Sequence, residues 1–370
     1  MSWTVDSLSY DNRKEITIQN ANIGSDLSDF PVLVDITDDG EIGVVSNADG
    51  FDIRFTQDDG STLLKYERES FTIVSELANG HFWVKTNVTT ASVTTIYCYY
   101  RSTDTADGED AANTWDSDFK GVWHLEDTTD SSGNSHTFTT VVGATSGATG
   151  KIGNAYDFES TPTADYMNFA DHADFDFAAE FSIETILDFE TRASSWFFNH
   201  YDSGTADGWT LYTHSTGKVG FFVSVNGSAK AILTNAAVST TGFHQVIGTR
   251  DSSGNMKIYL DGALQAATNT QAGAINSSKA ITLGRREWNS DSYFDGILDE
   301  ARASSTNRST NWIKFEWANI NEADNELSWG NEETPSGETS IKSIDGLAKA
   351  SVKSFNGLAI ASVKSINGLE

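Results

Sequence analysis

Aromatic side chains next to turn-rich stretches are the residues of this sequence whose types and spacing best fit a binding chemistry. Two stretches rich in Asp, Asn, Ser and Gly, 199–208 and 289–292, contain or adjoin Trp196, Tyr201, Trp209, Tyr212, Trp288 and Tyr293. Sugar rings present C–H faces that stack on Trp and Tyr, while Asp and Asn exchange hydrogen bonds with sugar hydroxyls. These aromatic residues therefore predict a carbohydrate-binding site. In the competing interpretation, Trp196 and Trp209 belong to a hydrophobic core.

An oxygen-rich turn is a second candidate site. The run Asp130-Ser-Ser-Gly-Asn134 can bring carboxylate, hydroxyl and carbonyl oxygens to one point, as a hard cation requires. Asp299 lies far along the chain and could meet this turn in space. We therefore predict a Ca²⁺ site that draws on Asp130, Asn134 and Asp299. The alternative is a turn that is held by its own hydrogen bonds.

Paired carboxylates are a third candidate chemistry. In a strand, Glu184, Asp188 and Glu190 would share one face, and residues two apart would lie about 6.6 Å from each other. That separation would suit the acid and base of a glycosidase. A solvated acidic face is the alternative interpretation.

Nucleophilic catalysis and cofactor chemistry have no visible motif. The seven histidines show no ligand spacing such as His-x-x-x-His, and no Walker, Gly-x-Ser-x-Gly or dinucleotide glycine motif occurs. His124 lies within an apolar strand and is predicted to be a hydrogen-bonded core residue. The lone Cys98 excludes an intramolecular disulfide and any multi-cysteine metal site. We therefore predict that the protein is not an enzyme.

Charge and hydropathy restrict the classes of partner. The chain has 24 Lys+Arg against 53 Asp+Glu, a net charge of −29, and so lacks the basic clusters that bind phosphates. Its first residues show no basic and apolar signal segment, and no run of about 18 apolar residues occurs. We expect no nucleic-acid binding, no membrane insertion and no signal peptide.

Short alternating segments must position these side chains. Thirty glycines, many in Asp-Gly or Asn-Gly pairs, separate runs rich in β-branched and aromatic residues, such as 52–56, 81–85 and 219–223. The pattern predicts an all-β protein. One short helix is predicted around 309–316, with Ser309 or Thr310 as its cap.

Changes in composition predict the domain organisation. An N-terminal sandwich-like β domain covers 1–103, and an acidic linker covers 104–114. A larger β-sandwich covers 115–330 and a second linker 331–339.

Residues 340–370 carry an eleven-residue repeat. Each unit predicts a small β-hairpin with an Asp-Gly or Asn-Gly turn at Gly346, Gly357 or Gly368. Such hairpins bury little surface by themselves. We therefore predict self-assembly or docking to other particle proteins through this tail, with a trimer favoured if the protein is a fibre. The alternative is a tail that packs on its own chain.

Several motifs resemble known families. The larger sandwich resembles a laminin-G-like, concanavalin A-like jelly roll, in which these segments occur in the family's order: 121–125, 130–134, 150–158, 181–184, 281–285 and 294–302. Residues 13–18, 29–34 and 52–56 resemble an uncharacterised β domain that is often paired with it. The tail resembles repeats of phage virion and bacterial surface proteins. The jelly-roll resemblance implies lectin-like carbohydrate binding and, often, bound calcium.

Together these expectations predict a non-enzymatic virion or surface structural protein, of a decorating or fibre-like kind. Its jelly roll would contact a host or a glycan, at the virion or the extracellular surface. A glycan-active enzyme on the same sandwich is the first alternative. A purely architectural capsid or tail component without a ligand is the second.

Overall fold

Strands dominate the fold. The computed structural model describes residues 2–102, 106–287, 292–321 and 326–335, and the backbone of short strands at 343–344, 347–348, 354–355 and 358–359. Within these residues the predicted all-β class is confirmed. No helix in these ranges is long and apolar enough to cross a membrane.

The N-terminal unit consists of two sheets. Its elements are β1 (Trp3–Val5), β2 (Leu8–Ile18), β3 (Leu27–Asp39), α1 (Gly40–Val45), β4 (Arg54–Gln57), β5 (Tyr66–Val74), β6 (Leu77–Val88) and β7 (Thr94–Ser102). One sheet has the order β1-β2-β7-β4 and the other the order β3-β6-β5. Alternate apolar residues of both sheets, such as Ile16, Val32 and Phe82, are buried between them.

The larger sandwich follows. Its elements are α2 (Ala111–Thr114), β8 (Phe119–Trp123), β9 (Thr140–Val142), β10 (Thr145–Thr149), β11 (Asn154–Phe158), β12 (Tyr166–Phe169), a 3₁₀ turn (Ala173–Phe175), β13 (Phe181–Phe189), β14 (Ser195–Asp202), β15 (Asp207–Thr213), β16 (Val219–Val225), β17 (Ser228–Leu233), β18 (His244–Arg250), β19 (Asn255–Leu260), β20 (Ala263–Leu264), β21 (Asn269–Thr270), β22 (Ile281–Leu283), β23 (Gly296–Ser304), α3 (Thr310–Asn321) and β24 (Leu327–Glu333).

Two large antiparallel sheets form this sandwich. One has the order β17-β16-β15-β14-β22-β12-β9, and the other the order β10-β11-β23-β13-β18-β19-β20. Between them lies an aromatic-rich core that includes Trp123, Phe181, Trp209 and Phe221. The predicted jelly-roll sandwich is therefore confirmed.

The chain returns to the N-terminal unit after the sandwich. In contrast to the expected boundary at 330 and linker at 331–339, β24 pairs with β2, and Trp329 lies opposite Ile16. The backbone of β24 supplies hydrogen-bonding partners to the part of the β2 edge that β1 leaves free. In α3, the Asn319 amide exchanges two hydrogen bonds with the backbone of Leu33. One continuous core thus joins both units.

The described part of the expected linker 104–114 is tied to β5. The Arg68 guanidinium pairs with the Asp107 carboxylate at 2.6 Å, and the Asp110 amide donates to the carbonyl of Tyr66.

The helix predicted around 309–316 is confirmed, because α3 covers this segment. Its first turn is capped by Ser309, whose hydroxyl accepts from the Trp312 amide at 3.1 Å.

Short antiparallel pairs occur in the tail repeats. Strand β25 (Ser343–Ile344) pairs with β26 (Leu347–Ala348), and β27 (Ser354–Phe355) pairs with β28 (Leu358–Ala359). The pairings agree with the hairpin predicted for the first two repeats. The third repeat lies outside the described residues.

Candidate functional site

The outer face of the seven-stranded sheet carries a group of neighbouring aromatic side chains. Trp196 on β14 lies opposite Tyr212 on β15, so both side chains are on one face. Tyr201 lies further along β14, and Phe222 follows on β16. We call this set the aromatic patch: Trp196, Tyr201, Tyr212 and Phe222. All four residues are partly exposed.

The rings of the aromatic patch are in mutual contact. The Trp196 ring centroid lies 5.9 Å from that of Tyr201, 6.3 Å from that of Tyr212 and 6.2 Å from that of Phe222. Tyr201 and Phe222 meet edge to face at 5.1 Å. Partial burial raises the pKa of the Tyr212 phenol. The four rings therefore form one continuous apolar surface on one face of the sheet.

A β-bulge in β14 sets which rings face outward. The register shifts between Trp196 and Phe198, so that Phe198 rather than Phe197 lies opposite Leu211 in the core. Phe197 and Phe198 are both fully buried, whereas Trp196 lies on the outer face. The extra residue re-aims the strand at this point.

An amide without hydrogen bonds lies within this face. Asn199 is opposite Thr210 and Thr282 on the neighbouring strands, between Trp196 and Tyr201 along β14. Its side chain is fully buried, and within the described structure neither its Oδ1 nor its Nδ2 has a partner. Such an amide costs about 1–3 kcal/mol of stability. The site thus combines stacking surface with unused hydrogen-bonding capacity.

The predicted carbohydrate-binding residues divide into groups. Trp196, Tyr201 and Tyr212 come together in the aromatic patch. Trp209 does not join them: it is fully buried, and its Nε1 donates to the carbonyl of Phe175 at 3.1 Å. Trp209 lies three positions from Tyr212 on β15, so strand alternation places it on the opposite face, in the core. The core interpretation therefore applies to Trp209 and not to Trp196.

Two predicted residues remain, Trp288 and Tyr293. Trp288 lies outside the described residues. Tyr293 is half-buried and precedes the core residue Phe294. The neighbouring Ser292 lies beside the aromatic patch, because its carbonyl accepts from the Trp196 amide at 2.9 Å. The Arg286 guanidinium also lies over the Trp196 ring, at 5.6 Å.

The residues predicted to bind calcium have other partners. Each oxygen of the Asp130 carboxylate accepts two hydrogen bonds, from Val122, Ser132 and His136, at 2.9 Å. A carboxylate has about four acceptor sites, so this one is saturated. The Asn134 amide donates to the Phe119 carbonyl. The turn is thus held by its own hydrogen bonds.

Asp299 is also unsuited to calcium. One of its oxygens accepts from the Lys151 and Ile152 amides, at 2.8 and 3.1 Å. Burial, with Glu300 nearby, raises the pKa of the Asp299 carboxyl well above its usual value, which favours the neutral form. The predicted donor set of Asp130, Asn134 and Asp299 therefore does not fit a calcium ion, which prefers six to eight accessible oxygens.

A buried charge cluster lies where the two units meet. We use this name for Glu67, Glu69, His124, Glu184, Glu300, Arg302 and Glu316. His124 contacts Glu300 through Nδ1 at 2.8 Å and Glu67 through Nε2 at 3.1 Å, which agrees with its predicted role as a hydrogen-bonded core residue. The Arg302 guanidinium lies over the rings of Trp83 and Trp115, at 4.5 and 4.9 Å.

The pKa values of Glu69 and His124 in this cluster are strongly shifted. Burial raises the pKa of Glu69 to about 8, although His124 opposes the shift. Burial alone would lower the pKa of His124, but Glu300, Glu67 and Glu69 raise it well above its usual value. The cluster therefore favours the protonated form of the His124 imidazole, and it joins the units through charge-assisted hydrogen bonds.

The position of Glu184 in this cluster corrects the interpretation of β13 as a solvated acidic face. Glu184 is buried and bonds to Arg302 at 3.1 Å, rather than lying on a solvated face with Asp188 and Glu190. Burial and the neighbouring Glu316 raise its pKa well above its usual value. The pairing of β13 with β18 is unbroken from Phe181 to Leu187, so β13 keeps its alternation. The extra residue of the bulge between β13 and β23 belongs to β23.

A further cleft lies elsewhere, in the N-terminal unit. It has a volume of about 400 Å³ and is lined by residues such as Asp29, Lys65, Lys85 and Asn87. No aromatic ring is among the described residues that line it. It therefore lacks the stacking surface that the aromatic patch provides.

Two family models match parts of the chain. Residues 161–314 match the Concanavalin A-like lectin/glucanases superfamily, and residues 49–141 match a Domain of unknown function (DUF2341). No curated protein matches the chain.

Solved structures with partial likeness to this chain include the following three. The binding domain of Paraclostridial Mosquitocidal Protein 1 is 12% identical, with 54% of this chain and 52% of that chain covered and a TM-score of 0.45. Domain 4 of an extracellular arabinanase from Geobacillus stearothermophilus, in complex with arabinotriose, is 18% identical, with coverages of 54% and 98% and a TM-score of 0.44. A heptameric SAP-like pentraxin from Limulus polyphemus is 15% identical, with coverages of 43% and 78% and a TM-score of 0.35.

The chain spans about half the length of the toxin binding domain. The family matches agree with the resemblance seen in the sequence and with the observed sandwich. Residues 161–314 are therefore similar to the Concanavalin A-like lectin/glucanases superfamily, and residues 49–141 to the Domain of unknown function DUF2341.

Proposed function

We propose that the protein binds a glycan through the aromatic patch without cleaving it. The observation that carries this proposal is the set of four partly exposed rings in mutual contact on one sheet face. A pyranose offers an apolar C–H face of matching character, and stacking on Trp or Tyr removes both surfaces from water. The superfamily that matches residues 161–314 is named for lectins and glucanases, two classes that bind carbohydrate.

Polar groups beside the rings would give the site its selectivity. Asn199 offers one acceptor and two donor hydrogens, and Thr210 and Thr282 lie on the same face. A sugar hydroxyl that reached Asn199 after the rings separate would satisfy an amide that has no partner in the described structure. Binding would then favour hexoses that present a hydroxyl next to their apolar face.

The wider role follows from the same proposal. The protein would be a structural component of a virion or an extracellular surface, with the sandwich directed at a host glycan. Residues 340–370 would attach it to copies of itself or to other particle proteins. The paired strands in the first two repeats support this role, because hairpins this small need a further surface to bury their apolar residues.

A glycan array tests the binding function. The wild-type chain should bind at least one carbohydrate class, and Trp196→Ala and Tyr212→Ala should each weaken that binding by about 1–3 kcal/mol, a range typical of aromatic stacking contacts. Trp317→Ala, which removes a partly exposed Trp on α3, serves as the matched control and should bind normally. Equal binding by all variants would refute the proposed site.

Two further outcomes separate the alternatives. Steady release of reducing ends from a polysaccharide panel would show a glycan-active enzyme and contradict a purely binding role. Absence of binding to every carbohydrate on the array would favour the purely architectural component.

A further inference from the structure

Two histidines and an aspartate from separate loops converge on the sandwich. His136 follows the Asp130–Asn134 turn, and His172 and Asp174 lie just after β12. The Asp174 Oδ2 atom lies 2.8 Å from His136 Nε2 and 3.3 Å from His172 Nδ1. One ligand atom from each residue lies within 4.8 Å of the others.

These separations suit a tetrahedral transition metal. Two bonds of about 2.05 Å at the tetrahedral angle place their ligand atoms about 3.3 Å apart. The His172–Asp174 separation has this value, and the rings of His136 and His172 lie only 4.4 Å apart between centroids. His172 Nδ1 accepts a hydrogen bond from the Asp174 amide at 3.2 Å, which a bound ion would replace. With that change, a modest expansion around His136 would complete the three-ligand geometry.

One ligand is held rigidly, and the other two are accessible. The His136 ring stacks on Phe169 at 5.7 Å, with an angle of only 12° between the planes, and its backbone amide donates to Asp130. The side chains of His172 and Asp174 are 51% and 36% exposed, so an ion can reach them from solvent. Because the His136 side chain is already fixed, less conformational entropy is lost when the ion binds.

We propose that His136, His172 and Asp174 form a binding site for one divalent transition-metal ion of the zinc type. Two imidazole nitrogens with one carboxylate are the donors that Zn²⁺, Cu²⁺ and Ni²⁺ prefer. Calcium needs more oxygen ligands than this set provides. Three protein ligands leave a fourth position open to water or to a group from a ligand.

The neighbouring group around His200 is less suited. Asp176 Oδ1 lies 3.4 Å from His200 Nε2 and Asp171 Oδ1 lies 3.7 Å from it. However, Asp176 Oδ1 already accepts from the Ser277 amide at 2.9 Å. His200 is fully buried, so an ion from solvent does not reach its Nε2. The side chains of His172 and Asp174, in contrast, are partly exposed. We therefore expect one metal ion per chain.

Calorimetric titration of the full chain with Zn²⁺ tests this site. The wild type should bind one equivalent, and its melting temperature should rise with Zn²⁺ concentration, because the ion stabilises the folded state. His172→Ala and Asp174→Asn should each weaken binding by about 10- to 100-fold or more. His214→Ala removes a histidine outside the site and should leave the affinity unchanged.

Melting curves measured in chelator show whether the variants are folded without metal, so that a loss of Zn²⁺ binding can be separated from a loss of folding. Both site variants should melt close to the wild type without metal, since they alter partly exposed side chains. The proposal is overturned if the wild type binds no Zn²⁺, or if folded His172→Ala and Asp174→Asn bind it as the wild type does. Two equivalents in the wild type would overturn the predicted stoichiometry.

Discussion

Glu69 should make the stability of this protein fall as pH rises. Its carboxyl is buried at the junction of the two units, where one oxygen accepts from the Trp83 indole at 2.7 Å and the other lacks a partner in the described structure. Burial raises its pKa from 4.5 to about 8. Because the folded state holds this proton more tightly than the unfolded state, folding becomes less favourable as pH rises between these values.

The size of this effect follows from linkage. At about 1.4 kcal/mol for each pH unit, a carboxyl with these two pKa values lowers the free energy of unfolding by about 4 kcal/mol between pH 5 and pH 9. Glu69→Gln keeps the acceptor for Trp83 but cannot ionise. The variant should therefore match the wild type within about 1 kcal/mol at pH 5. At pH 9 it should be more stable by several kcal/mol.

Urea unfolding at pH 5, 7 and 9 measures this difference. Glu76→Gln is the matched control, since it removes an exposed carboxylate from the turn between β5 and β6 and should follow the wild type at every pH. A constant difference between Glu69→Gln and the wild type across this range would refute the assigned role of burial. Greater loss of stability in the variant at pH 9 than at pH 5 would also contradict it.

Three other predictions concern the patch, the tail and calcium. Asn199→Leu should stabilise the protein by about 1–3 kcal/mol in urea unfolding, because it replaces an unpartnered buried amide, while weakening glycan binding; a less stable variant would contradict this. Deletion from residue 340 onward should leave the melting temperature of both units unchanged but reduce the mass measured by light scattering, and an unchanged mass would contradict assembly through the tail. At high NaCl, calcium, magnesium and chelator should give coincident melting curves, since the Asp130 carboxylate is saturated; a rise specific to calcium would restore the predicted calcium site.

Local patterns in the sequence were sufficient for the fold class and for one helix. Alternation and glycine pairs predicted strands, and Ser309 marked the start of α3. The return of β24 to the first sheet could not be predicted in this way, because its local sequence does not specify which strand it pairs with. Only the free edge of β2, seen in three dimensions, decides the pairing.

The candidate site was predicted in part. Trp196 and Trp209 have similar sequence surroundings, and the bulge near Phe198 that separates their environments has no clear sequence signal. Phe222 was missed because it lies in a run of apolar residues, where both faces look buried. The three-residue metal site was also missed, since His136 and His172 are 36 positions apart and meet only through the packing of two loops.

Hydrogen–deuterium exchange of the wild-type chain, with and without the tightest-binding oligosaccharide from the glycan array, tests the central claim most directly. Binding at the aromatic patch predicts slower exchange in 195–202, 207–213 and 219–225, the strands that carry its four rings. Protection confined to the cleft of the N-terminal unit, around 57–65 and 85–95, would place the ligand elsewhere and contradict the account.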